Sequence, residues 1–447
     1  MRRNFLLGLV IASVTVISLG HSASAVFVDP NQRDCLNRKF GTKAAAAISK
    51  AKKLTTAQAK QVSACSGPGG QSSSGGASGS SGSSSSSLTA LSWGLMWSVG
   101  SNQAGLGNVA DPALLQLGDG SLRMFFKNGN SPHIPLSGFD YKINSYVSSD
   151  NGATWTLESG VRIDVGSPVT VRAAEAGGYE AWGWIPGGGG VEKMTRFTSS
   201  TGKDFSQGSG SLVPTSACKN ADGSAAGLLG DPQVVKVASG YLAYAQEMAA
   251  GKSAPFKRQA CKLTSADGNT WSIDSSGTFA FNYDIRNNPE LYRNSAGQLE
   301  LWFSADGNGA KNSEIRTSSN DGASWSTATS LSWIANDPER LDLANGTSLL
   351  AFGNFDQRRG GLLAVSKKIS TGYAASRDEK VDQVSWVVSG AKQADIKVKN
   401  LCLDKDLTSS ATFGTSGPNV TVTLKDSSFV AAVGCAYILV GSSQAIS

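Results

Sequence analysis

Between about residues 90 and 380 the chain alternates short apolar runs with turns rich in Gly, Asn and Ser, and the alternation repeats. Five segments open with a small polar residue followed by proline: Asp111-Pro112, Ser167-Pro168, Asp231-Pro232, Asn288-Pro289 and Asp337-Pro338. Each runs on through an apolar strand, turns, and returns in a second strand. The returning strands carry Met124-Phe125-Phe126, Tyr179-Glu180-Ala181-Trp182, Tyr241-Leu242-Ala243-Tyr244, Leu299-Glu300-Leu301-Trp302 and Leu349-Leu350-Ala351-Phe352. The openings lie 56, 64, 57 and 49 residues apart, room for four strands each, which is the size of one blade of a β-propeller. The pattern predicts an all-β chain with a five-bladed propeller over 88–381.

A second motif recurs in phase with the first. Its fullest copy is Ser148-Ser149-Asp150-Asn151-Gly152-Ala153-Thr154-Trp155, and Ser265-Ala266-Asp267-Gly268-Asn269-Thr270-Trp271 is the same turn shortened by one residue. Weaker copies end at Trp325 and Phe205. The spacing predicts a tight hairpin between the third and fourth strands of a blade. The Asp or Asn side chain binds turn N–H groups, Gly takes a positive φ, and the aromatic plugs the gap between sheets. These copies resemble the Asp-box (BNR) repeat of sialidase-like propellers, over about two thirds of the chain. The count of Pro-initiated strands resembles the five-bladed furanosidase-type propellers, whose family 43 glycoside hydrolases also begin inner strands with Asp-Pro.

The remaining segments read differently. Residues 1–25 combine Arg2 and Arg3, an apolar run and a small-residue end, the zones of a secretory signal peptide, and no further run is long enough to span a membrane. Residues 26–66 predict a basic helical hairpin tied by Cys35 and Cys65, and residues 67–87 a Ser/Gly tether. After residue 382, alternation such as Asp395-Ile396-Lys397-Val398 and Asn419–Leu424 predicts a small β module. The six cysteines group in sequence, and sequential pairing adds Cys218–Cys261 and Cys402–Cys435 in an oxidising, secreted or cell-surface setting.

Charge narrows the partners. Eight basic against two acidic residues make 26–66 net +6, which leaves 67–447 at −2, so the large domain has no nucleic-acid footprint. The lysines of the small module are either a solvated helix face or an attachment to an anionic surface polymer. With no CxxC spacing and only His133 outside the leader, neither a metal nor another cofactor is expected.

In such a blade the start of the inner strand and the loop between strands two and three share one face. That face gathers Asp111, Asp231 and Asp337 with loops that hold His133, Trp184 and Glu247, and carbohydrate is the expected partner. Glycoside hydrolysis needs one protonated and one ionised carboxyl. The furanosidase resemblance implies Asp111 as general base; Ser167 and Asp231 stand where those enzymes have Asp and the acidic Glu. Glu247 or Glu290 supplies the acid. The sialidase resemblance implies arginines on a substrate carboxylate, for which Arg172, Arg286 and Arg340 lie near inner strands, and His133-Ile134-Pro135 stands where that family has Arg-Ile-Pro. Two readings stay open: a glycosidase using Asp111, Asp231, Glu247 and Glu290, with Asp337, Arg286, Arg172, Arg340, Trp184 and His133 on substrate, or a non-catalytic glycan-binding or adhesion protein. An Asp repeated before Pro can equally serve the blade, by binding turn N–H groups.

Overall fold

The structure is a computed structural model, and it describes residues 88–447 except 130–137, 167, 189–190, 215–217, 219–227, 249–258, 281–288, 304–312, 332, 334, 355–360, 381–382, 426–434 and 443. The expected leader, helical hairpin with Cys35–Cys65, and tether therefore lie outside the described residues. So do His133, Ser167, Arg286 and Asn288.

The described chain is all-β apart from one short helix, Ser101–Ala104, and two single 3-10 turns. The first sheet comprises Asn108–Gln116, Leu122–Gly129, Ile143–Ser148 and Thr156–Leu157. The second comprises Val169–Ala173, Tyr179–Gly188, Val191–Ser199 and Ser206–Pro214. The third comprises Leu228–Val237, Gly240–Met248, Gln259–Ser265 and Ser272–Ala280, and the fourth Pro289–Arg293, Leu299–Phe303, Glu314–Ser318 and Thr329–Ser330. A fifth set, Asn336–Asp342, Ser348–Asn354 and Leu362–Lys368, takes its outer strand from far upstream, Trp93–Gly100. The first strands neighbour one another in a closed order that returns from the fifth sheet to the first, the arrangement of a β-propeller.

Each gap between consecutive sheets holds its own apolar cluster, which is why the strands read as nearly continuous apolar runs. Along Gly240–Met248, Tyr241, Ala243 and Ala245 pack toward Trp182 of the second sheet, while Leu242 and Tyr244 pack toward Leu299 and Leu301 of the fourth. The hairpin aromatics fill these gaps in sequence. Trp155 packs with Leu349 and Val365 of the fifth sheet, Phe205 with the first, Trp271 with the second and Trp325 with the third.

The turn chemistry matches its expected physics. Asp150 accepts from the Thr154 N–H at 2.8 Å and from its hydroxyl at 2.6 Å, and Asp267 accepts from Asn269 and Thr270 N–H groups. These bonds hold the carboxyls of Asp150 and Asp267 down at about 2. Gly268 has φ 73°, and its carbonyl accepts the indole N–H of Trp182 from the neighbouring sheet at 2.8 Å.

Beyond Trp93–Gly100 the fifth sheet continues without a break through Ala445–Ile446, Ala436–Val440, Ile396–Asn400 and Lys405–Asp406. A further sheet runs Thr89–Ala90, Ala374–Lys380, Gln383–Ser389, Asn419–Lys425 and Thr412–Ser416. Trp386, Val388, Val398, Val422 and Ile438 make one core between these layers. Ala374–Lys380, upstream of the boundary near residue 382 expected from the change of pattern, thus pairs within the C-terminal β structure. Cys402–Cys435 and Cys218–Cys261 are both bonded. Gly100 lies so close to the Cys402 backbone that a Cβ there would sit 1.7 Å from its carbonyl oxygen, so only glycine lets the outer strand meet this layer.

Trp182 is fully buried between the second and third sheets. Trp182→Ala removes that packing and one of the two indole donors to the Gly268 carbonyl, Trp271 keeping the other. It is expected to cost about 3–5 kcal/mol, read as a lowered urea midpoint at unchanged slope.

Candidate functional site

The Asp-Pro steps sit where the first strands converge. Sequence alone placed them at strand starts, but Asp111-Pro112 and Asp231-Pro232 lie inside their strands, as irregularities that break pairing between Ala110 and Ala113 and between Gly230 and Gln233. Asp337-Pro338 does the same between Asn336 and Glu339. Proline has no N–H for the ladder, so the chain accommodates it as a bulge. The preceding residue turns left-handed in all three, with φ 52° at Asp111, 47° at Asp231 and 46° at Asp337. Aspartate tolerates this region better than most side chains, yet it is an uncommon and strained conformation for a non-glycine residue.

These three aspartates line one axial space together with Pro168, Val169, Gln233, Pro289 and Glu290. The cavity measures about 10 Å³, enough for roughly one water. The space itself is therefore too small to admit a sugar ring. Asp111 has the Lys127 ammonium 3.9 Å from its carboxylate, across the strand pair.

Glu290 reaches the same space from the fourth sheet, and next to it lies a carboxyl that sequence reasoning missed. Glu339, one residue past Pro338, hydrogen-bonds the Glu290 carboxyl and accepts the N–H of Leu114 from the first sheet. Burial pushes Glu339 up to about 7. Burial, then the Glu339 charge, hold Glu290 well above the ordinary carboxylate range. The pair thus keeps a proton near neutrality, as two adjacent carboxyls cut off from water must. A signal for it exists in the chain: Pro289-Glu290 and Pro338-Glu339 are the same dipeptide at the same step of consecutive repeats, where the other three have Ala113, Val169 and Gln233.

The other expected site residues are placed elsewhere. Arg172 pairs with the buried Glu180 at 2.9 Å, sharing it with Arg196, and lies over the Trp182 and Tyr241 rings. Arg340 pairs with Glu300 and Asp342 and lies over Tyr292. Neither arginine lines the axial space; Arg172 neutralises a carboxylate of its own sheet and Arg340 one of the neighbouring sheet. Trp184 is buried in the cluster between the second and third sheets. Glu247 falls in the strand Gly240–Met248, with its side chain outside the described residues, as are His133 and Arg286.

No family model matches the chain, and no curated protein matches it. Solved structures similar to it include a protein of unknown function from Dyadobacter fermentans, 14% identical with TM-score 0.41, covering 76% of this chain and 99% of that one. A glycosyl hydrolase from Bacteroides ovatus is 14% identical with TM-score 0.39, covering 58% and 84%. An α-L-arabinanase from Penicillium chrysogenum, complexed with arabinobiose, is 13% identical with TM-score 0.37, covering 75% and 98%. No residue role transfers at these values.

The acid pair makes stability depend on pH. A carboxyl with a raised folded-state pKa keeps a proton that the unfolded chain has already lost, so its contribution is complete below about 4.5 and is lost as the pH climbs through 7. Thermal midpoints measured from pH 5 to pH 8 are expected to fall for the natural chain. The double substitution Glu290→Gln, Glu339→Gln, which cannot ionise, should flatten that fall.

Proposed function

We propose that the chain is an exported, five-bladed propeller protein that hydrolyses glycosidic bonds of extracellular carbohydrate at the mouth of its axial space. The observation behind this reading is that two kinds of carboxyl meet around one axis. Asp111, Asp231 and Asp337 are held there by strained bulges, beside a Glu290–Glu339 pair that burial keeps protonated. Hydrolysis requires both kinds at one pH. Glu290, rather than Glu247, is the acid: it gives its proton to the departing oxygen as the glycosidic C–O bond breaks. Asp111 takes a proton from the water that replaces the leaving group. Asp231 and Asp337 bind sugar hydroxyls. The arginine triad implied by the sialidase resemblance has no place in this scheme, because Arg172 and Arg340 are committed to Glu180 and Glu300.

The same reading takes residues 1–25 as a leader, 26–66 as a basic module that holds an anionic surface polymer, and 67–87 as the tether between that module and the propeller. Residues 88–381 form the propeller and 382–447 the C-terminal module, into which Ala374–Lys380 pairs.

A second reading, glycan binding without hydrolysis, is favoured by the narrowness of the axial space and by Pro168, where the second sheet brings no described carboxyl to the axis. Incubation of the full exported chain with a panel of polysaccharides and synthetic glycosides separates the two. Sugar release that falls by about 10²–10⁴-fold in Asp111→Asn, with glycan retention unchanged, is the expected result. Retention without release from any member of the panel establishes binding instead.

A further inference from the structure

At the end of the sheets opposite the Asp-Pro steps lies a much larger cleft, of about 970 Å³. Its position follows from topology. The turn around Gly346 joins the first and second strands of the fifth sheet, and Ala153 sits in the hairpin between the third and fourth strands of the first. In antiparallel sheets both turns lie at the far end from the first half of the first strand, where the aspartates sit in their bulges. The third wall is the turn that carries Ser442 and Gln444, whose backbone is tied to the outer strand by a bond from the Leu95 N–H to the Gln444 carbonyl at 3.2 Å.

The chemistry of the cleft is one-sided. Lys367 and Lys368 are both exposed along it, neither makes an ion pair among the described residues, and no Asp or Glu is among the lining residues. Elsewhere the sheets spend their cations on carboxylates: Arg123 on Glu158, Arg172 on Glu180, Arg293 on Asp321 and Arg340 on Glu300. Gln444 is exposed in the left-handed region at φ 49°; its backbone N–H is held by the Gly441 carbonyl, and its side-chain amide makes no hydrogen bond among the described residues. Left-handed non-glycine backbone is enriched at ligand clamps, and here it presents a side chain that no described residue engages. Leu95, Met96 and Ile369, all half-buried, give the same cleft an apolar surface.

We propose that this cleft is an accessory site for an acidic oligosaccharide. The lysines meet its anionic groups, Gln444 and the hydroxyls of Thr347 and Ser442 meet its ring hydroxyls, and the apolar patch takes the flat faces of the sugar rings. The volume is that of a site for a small ligand, a few sugar rings long, and two cations are too few for a nucleic-acid track. The assignment does not depend on hydrolysis at the axial mouth.

The test is hydrogen exchange on the full chain with three hexasaccharides: galacturonate, its fully methyl-esterified form, and a sulfated heparin fragment. The site requires slowed exchange at residues 343–348 and 441–445 with galacturonate and none with the ester. Slowing by the heparin fragment as well identifies charge as the recognised feature, whereas slowing by galacturonate alone identifies the carboxylate. In Lys367→Gln, Lys368→Gln the galacturonate concentration for half-maximal protection should rise by about tenfold or more. The segment-resolved readout separates this cleft from anion binding by the basic module at 26–66. Equal protection by the ester, no protection by either anionic hexamer, or an unchanged midpoint in the double variant overturns the proposal.

Discussion

Everything in this fold depends on closing a ring of sheets, each of which is too apolar on both faces to stand alone. Tyr241 and Leu242 are adjacent in one strand, and each is buried against a different neighbouring sheet. No sheet can therefore be removed without stripping the cover from two others. The joint that completes the ring is the outer strand Trp93–Gly100, which pairs with Leu362–Lys368 on one edge and, at Gly94, with Ala445 on the other. The close approach of Gly100 to Cys402 and the Cys402–Cys435 bond lie at the same joint.

Ring closure also produces the axial chemistry. Five first strands meet at one narrow space, so a residue type placed at one step of the repeat is multiplied around the axis. At the three Asp-Pro steps the proline sits in a bulge, and the bulge holds the aspartate in a left-handed conformation. One step further in, two glutamates meet with too little water to ionise both. The Glu339 carboxyl also receives the Leu114 N–H of the first sheet, so proton sharing at the axis and contact between the last and first sheets involve the same group.

Much of this was legible in the chain, and the reason is physical. A repeat that buries both faces of a sheet must write apolar runs at blade spacing, and a turn held by Asp150 or Asp267 must write Asp, Gly and Trp at fixed offsets. Two cysteine pairs were readable because each closes a short stretch of sequence. What could not be read was which charged side chains end up paired, within a sheet for Arg172 and between sheets for Arg340. Arg172 and Arg340 looked available for substrate because their partners, Glu180 and Glu300, are ordinary strand residues whose facing side chains only the sheet register reveals. Glu339 was hidden for the same reason, although the repeated Pro-Glu dipeptide marks it. The left-handed aspartates were out of reach because a strand start and a mid-strand bulge have the same local sequence.

The strand Trp93–Gly100 has a further consequence, for the order in which the protein can be built. It is made early by the ribosome, yet its two partners, Leu362–Lys368 and Ala445–Ile446, come near the end of the described chain. Until they emerge, Leu95, Trp97 and Val99 belong to a strand with two bare edges. Pairing across so long a stretch of sequence is slow to find, and an unpaired apolar strand is a template for other chains. The first of the described long strands is thus among the last to be satisfied, and the nascent protein carries an adhesive edge for most of its synthesis.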